Sequence, residues 1–259
     1  MELKKISQNE LDKLIKSHKK WLETDGKIGH RLILIDYDLS NLDFGFAYLK
    51  GAYLKNSNVA NSRFFDANFE DAIISNVNFE GTNLSRAIFK NTKMVNANLS
   101  GVNLSDAKFT IVNLTNANLD NTNLSKTKFA DCIMVNTKLK ALNYFETDFY
   151  SCNMSSVDLS DTDLTKIMIR ECVLNKANLK KCNLSGVLLE NIDLLEVDFE
   201  GALLLGTEIY GCELDDANFK DVDLEGAFFD YHSLKTANLE NAKSDEYETN
   251  SNDLEHCFK

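Results

Sequence analysis

From Leu34 to Leu239 the chain places an apolar residue at every fifth position, with small, polar or charged residues between. A helix repeats every 3.6 residues and a strand every two, so this period belongs to neither. The register runs through 42 centres without insertion or deletion; 34 are Leu or Phe, and the rest are Val59, Ile74, Met94, Met134, Tyr144, Met154, Ile169 and Ile209. The residue two before each centre is Ala, Ser, Thr, Cys or Val at 35 of the 42 places, which predicts a second inward position where space is short. Leu32, Tyr37, Leu42, Leu142, Ile167, Ile192 and His232 are the exceptions. Two after the centre stand eight of the nine glycines inside the repeat, among them Gly81 and Gly101, together with many Asn and Asp. Those types tolerate positive φ best, so each five residues predicts one side, one corner and two inward side chains.

The number of sides per coil is readable from what recurs twenty residues apart. Phe69, Phe89, Phe109, Phe129 and Phe149 form one ladder, and Leu99, Leu119, Leu139, Leu159 and Leu179 another. Like stacks on like at a spacing of four fives, which predicts a square solenoid of parallel, stacked short strands or turns. With 42 sides it has about ten coils, and at ~4.8 Å per coil the rod is roughly 50 Å long.

The units Ala97-Asn98-Leu99-Ser100-Gly101 and Ala217-Asn218-Phe219-Lys220-Asp221 resemble the pentapeptide repeat family, over about four-fifths of the chain. The resemblance implies an all-β solenoid, a right-handed quadrilateral parallel β-helix, here of about ten coils with an N-terminal capping α-helix. It implies little about function, since most members have no assigned activity. Members that inhibit DNA gyrase typically dimerise through an apolar C-terminal helix, and none is evident in this sequence.

Three segments are expected: a capping helix and entry segment over 1–33, the solenoid over 34–242, and an acidic C-terminal cap or tail over 243–259. Ser7 and Glu10 have capping-box spacing. Leu11, Leu14, Ile15, His18, Trp21 and Leu22 then recur at helical spacing opposite Lys13, Lys16, Lys19 and Lys20, and Gly26 is a plausible stop. Such a helix covers the open end of the rod; a basic amphipathic helix touching a membrane or an acidic partner is the alternative.

Composition narrows the chemistry. The 259 residues lack proline, which suits a backbone whose every N–H is needed in a ladder. Six cysteines are too few for a disulfide scaffold. Cys132, Cys152, Cys172 and Cys212 occupy small inward positions on one side and Cys182 the same position opposite, where packing is expected rather than a metal centre. The four histidines, His18, His30, His232 and His256, form no pair at ligand spacing, and no nucleophile–base grouping or phosphate loop breaks the rhythm. No enzyme activity and no cofactor are expected. With no secretory signal or membrane span in the sequence, a cytoplasmic location is expected.

Charge is the feature that speaks to function. Lys and Arg against Asp and Glu give 8 minus 5 over 1–33, 11 minus 10 over 34–145, 7 minus 19 over 146–239 and 2 minus 6 over 240–259. Within 190–230 there are 13 acids and Lys220 alone. Duplex DNA of the rod's length would carry roughly 30 charges, so imitation of DNA could extend only over the last coils. Sorting outward positions by side predicts one apolar edge, carrying Tyr48, Ile88, Ile111, Tyr150, Met168, Leu188, Tyr210, Phe228 and Tyr231, with Tyr53, Ile73, Val95, Ile133, Val135, Val173 and Leu195 on the neighbouring side. The reading is a non-enzymatic binding or scaffold protein that engages a protein partner. Its candidate contacts are Glu190, Asp193, Glu196, Asp198, Glu200, Glu208, Asp215 and Asp216, or the edge residues Tyr150, Tyr210 and Phe228. The alternative is a DNA-mimicking modulator of DNA gyrase or another topoisomerase. Direct nucleic-acid or membrane binding is not expected, and the chain is either a monomer or a dimer formed through its edge.

Overall fold

The computed structural model describes residues 3–229, 234 and 236–244. Its architecture follows from the corners. Two residues past each centre the backbone enters the left-handed region, from Asp36 (φ 62°) through Asn116 (φ 58°) to Asn241 (φ 58°). Among the described residues Ala141 and Lys166 depart from this rule. Ile111 (φ 56°) and Phe46 (φ 58°) obey it, although a side chain with a Cβ pays roughly 1–2 kcal/mol for that conformation. The adjacent coils therefore impose the turn.

Four corners close a square, and the coils are joined by hydrogen bonds parallel to the rod axis. The N–H of a centre donates one coil onward, as from Leu99 to the Asn118 carbonyl (2.7 Å). The N–H of the residue before a centre donates one coil back, as from Asn118 to the Ala97 carbonyl (3.0 Å). A proline at either place would delete a donor.

A short parallel pair, β1 (Lys4–Lys5) on β2 (Tyr37–Asp38), joins the N-terminus to the first coil. Among the described residues, one side of the square is continuous sheet. Its parallel strands are β3 (Ile88–Lys90), β4 (Lys108–Thr110), β5 (Lys128–Ala130), β6 (Thr147–Tyr150), β7 (Ile167–Arg170), β8 (Leu188–Glu190), β9 (Glu208–Tyr210) and β10 (Phe228–Phe229). They pair in sequence order with a register of twenty. Eight strands make seven coil-to-coil steps, so the strand-paired solenoid has about seven turns, fewer than the ten expected. Single parallel bridges join the other levels, from Ile33↔Tyr53 to Asp223↔Lys243. Just before β3 the Asn68 side chain accepts the Glu70 N–H (2.8 Å) and closes a turn, and the Tyr48 and Asn68 levels of this side are joined by single bridges.

Inside, the centres stack ring on ring. Centroids lie 4.9 Å apart for Phe69 and Phe89, 4.5 Å for Phe89 and Phe109, 4.6 Å for Phe109 and Phe129, and 4.8 Å for Phe129 and Phe149. Burying each ring is worth about 1.5–3 kcal/mol. The small inward position also accepts polar residues, because a hydroxyl there reaches the carbonyl of the preceding coil's centre. Thr92 donates to Phe69 (2.8 Å), Thr127 to Leu104 (2.8 Å) and Thr207 to Leu184 (3.0 Å).

The cap is α1 (Gln8–Glu23), with both hydrogen bonds of the Ser7–Glu10 capping box formed. Leu11 is buried in the core, and the Gln8 side chain bonds the Asp43 backbone through both its amide atoms. His18 is buried and accepts the Leu32 N–H at Nδ1 (3.1 Å). Leu14, placed on the apolar face by its spacing, is exposed instead, and Trp21 is half-buried between His18 and Arg31.

One corner breaks the pattern. Leu142, expected in a small inward position, is 76% exposed, although Leu32, Ile167 and Ile192 are buried at the equivalent place. Tyr144 takes the interior, its hydroxyl donating to the Leu139 carbonyl and accepting the Ala141 N–H (3.2 Å). Its hydroxyl is buried, which raises its pKa strongly. The C-terminal tail expected over 243–259 lies outside the described residues from 245 onward, as do Tyr231, His232 and His256.

Candidate functional site

The four sides differ in what they offer to a partner. On the side centred on Leu39, Val59, Phe79 and Leu99, the outward residues satisfy one another. Asn58, Asn78 and Asn98 each donate from Nδ2 to the side chain one coil back, at 3.1, 3.0 and 2.8 Å. Their Oδ1 atoms also accept the N–H two residues on, in Ala60, Glu80 and Ser100. A second asparagine column runs up the next corner, where Asn76 donates to Asn56 (2.9 Å) and Asn96 to Asn76 (3.0 Å).

The sheet side has no such column. One residue before each centre it displays Ile88, Lys108, Lys128, Asp148, Met168, Leu188, Glu208 and Phe228, in register along the rod. Ile88, Met168, Leu188 and Phe228 are each between 43% and 47% exposed. The edge expected to be apolar along its length is therefore interrupted, by Lys108, Lys128 and Asp148 in the middle and Glu208 near the end. On the neighbouring side Val95, Val135, Val173 and Leu195 are half-buried against the rod, which thins the edge there. An open groove of about 870 Å³ follows the first half of the sheet, between the corner residues Arg86 and Lys126 and the strand residues Ile88, Lys108 and Lys128.

The acidic candidates fall on three sides. Asp193 stacks against Glu213 one coil on, on the Leu34 side, with Asp215 and Asp216 at the next corner. None of these four forms an ion pair among the described residues, whereas Glu196 on the same side is held by Lys176 (3.3 Å). Asp198 and Glu200 lie on the Leu39 side, where Lys180 bridges both (3.0 and 2.8 Å) and has its own pKa pushed up to about 12 by Glu200 and Asp198. Glu190 and Glu208 belong to the sheet side. Tyr150, Tyr210 and Phe228 are also there: Tyr210 and Phe228 pack at 5.1 Å, and the Tyr150 hydroxyl, hydrogen-bonded to the Glu171 carboxylate, has its pKa raised. The spacing of the residues alone misses the basic row of Lys108 and Lys128; counting coils and reading the position before each centre would have found it.

The cysteines use their small inward positions as threonines do. Cys172 donates to the Phe149 carbonyl (3.5 Å) and Cys212 to that of Leu189 (3.5 Å). Hydrogen bonding within the thiol column raises Cys152 to about 12 and lowers Cys132. Among the described residues no group of His, Cys, Asp and Glu is placed to hold a metal ion, and no helix is long and apolar enough to cross a membrane.

A repeat of five with four corners per coil and a small and a large inward residue on each side defines a repeat-solenoid protein. The family described as pentapeptide repeat region matches residues 62–143 and 122–199, and that described as pentapeptide repeats (8 copies) matches 38–73 and 182–221. The chain belongs to the pentapeptide repeat family. Among solved structures it is similar to HetL, a pentapeptide repeat protein involved in heterocyst differentiation regulation from the cyanobacterium Nostoc sp. strain PCC 7120, with 24% identity over 87% of this chain and 92% of HetL and a TM-score of 0.46. QnrB1, a plasmid-mediated fluoroquinolone resistance protein, is 20% identical over 88% of this chain and 97% of its own, with a TM-score of 0.23. Rfr23 from the cyanobacterium Cyanothece 51142 is 18% identical over 60% of this chain and 88% of its own, with a TM-score of 0.17. No curated protein sequence matches the chain.

Proposed function

We propose that this protein is a non-enzymatic binding scaffold that engages a basic protein surface through the C-terminal coils of its Leu34 side. The reading is carried by Asp193 stacked on Glu213 with Asp215 and Asp216 beside them, none in an ion pair among the described residues. Like charges one coil apart repel, and a cationic partner relieves that repulsion while gaining salt-sensitive attraction. The test compares proteins captured by the native chain and by a Asp193→Asn/Glu213→Gln/Asp215→Asn/Asp216→Asn variant at two salt concentrations. A partner retained at low salt by the native chain and lost by the variant is the expected result. Identical capture by both would sink the proposal.

A second reading, modulation of DNA gyrase, is supported by the same acidic end, where charge density is highest. Its test is a supercoiling assay with protein titrated from nanomolar to high micromolar. Salt-sensitive inhibition that the four-site variant abolishes supports it, and the absence of inhibition throughout the titration retires it.

A further inference from the structure

We infer that two copies of this chain associate face to face through the eight-stranded sheet, antiparallel, about a two-fold axis lying in the sheet plane along the strand direction between β6 and β7. That axis passes through the midpoint of the sheet, with four strands on either side. It sets β3 against the second copy's β10, β4 against β9, β5 against β8 and β6 against β7, and each outward column faces itself reversed. An isologous contact of this kind works only if the surface is self-complementary.

Most of the paired positions meet that demand; at the centre Asp148, held by Arg170 of its own chain (3.1 Å), faces Met168. In the column before the centres, Ile88 meets Phe228 and Lys108 meets Glu208. Lys128 lays its methylene stem on Leu188. Lys108 and Glu208 are both exposed and form no ion pair among the described residues. In the column after the centres Arg170 meets Tyr150, an arrangement that allows its guanidinium to stack on the ring. At the corner beside the groove the same operation opposes Glu146 to Lys166, and it sets the bulky corners Arg86 and Lys126 against Gly226 and Gly186. Gly186 has open space where a Cβ would be, and a Cβ at Gly226 would meet only the Gly206 backbone at 3.7 Å. The half with large corners thus faces the half with empty ones. The parallel two-fold arrangement would instead set each strand against its own copy reversed, with Lys108 against Thr110 and Glu208 against Tyr210, so that neither charge meets its opposite.

Eight strands at ~4.8 Å and a width of roughly 15 Å give a footprint on the order of 600 Å² per copy, near the lower end of specific interfaces. A reversible dimer of micromolar strength is the expected product. It leaves the Leu34 side uncovered, so its existence does not depend on the partner proposed above.

The charge pair gives a direct test by sedimentation velocity of the full chain up to several hundred micromolar. Lys108→Glu and Glu208→Lys each create two like-charge contacts per dimer and should weaken self-association about tenfold or more. Each variant alone is then largely monomeric at concentrations where the native chain is dimeric, yet an equimolar mixture of the two regains native-like association, because both contacts in the mixed dimer join opposite charges. The double variant K108E/E208K regains it as well. A native chain that stays monomeric across the range overturns the inference. So does a native dimer that the single reversals leave intact, or a mixture that fails to associate.

Discussion

The Leu39 side and the sheet side are made from the same five-residue unit, yet one is tiled with turns and the other is pleated. On the Leu39 side the residue before the centre is Asn or Asp at most levels, and its carboxamide or carboxylate accepts the N–H two residues on, closing a turn at each coil. On the sheet side Asn68 makes that bond, and its level is a single bridge; from Ile88 onward the residue before the centre leaves the backbone extended. A single outward side chain therefore helps to decide whether a side is self-satisfied or open to a partner.

The largest contrast should come from the interior. Phe109→Ala removes the middle of a stack of five rings and should cost about 3–5 kcal/mol, measured by urea unfolding. Leu99→Ala, at a centre of the Leu39 side, should cost less; an equal or larger loss would show that the ring stack adds nothing to its side. A smaller contrast lies on the surface. Asn98→Ala removes the bond to the Ser100 N–H and the ladder bond to Asn78, a loss of roughly 1–3 kcal/mol, and hydrogen exchange at Ser100 should quicken. Lys108→Ala on the sheet side should stay within about 0.5 kcal/mol, and a large loss there would erase the distinction between the two sides.

The smallest effect belongs to the cap, which neither side shares. Burial lowers the pKa of His18, while its Nδ1 accepts the Leu32 N–H and so requires the neutral ring. The folded value lies below the unfolded one of about 6.5, so this stabilisation is complete above that pH and is lost as pH falls below it. Trp21 stacks on His18 at 5.7 Å and is the sole tryptophan. Its fluorescence should report cap loosening between neutral pH and pH 5, and His18→Gln should flatten that response.

Much of this is legible in the sequence. The five-residue register, the coil of twenty and the Ser7–Glu10 capping box each rest on local rules that residue types obey directly. The extent of the sheet was not, because the side chain before the centre does not decide alone: Ile73 and Ile133 close no such turn, yet their levels on the Leu34 side remain single bridges. The turning out of Leu142 was hidden because it depends on where the Tyr144 hydroxyl finds an acceptor. The acids read as one cluster in the sequence, but four corners per coil distribute them over three sides. The relation of Lys108 to Glu208 exists only once the strands are counted from the centre of the sheet.

The hydrogen bonds that run along the rod axis have a mechanical consequence. Each coil holds twenty residues, about 65 Å of extended chain, within ~4.8 Å of rod length. Tension applied between the two ends loads those bonds in series, so the rod should peel one coil at a time from its less protected end, releasing roughly 60 Å at each step. The helix seated on the first coil must be pulled off before that end can peel, so its docking sets the force at which the first coil lets go.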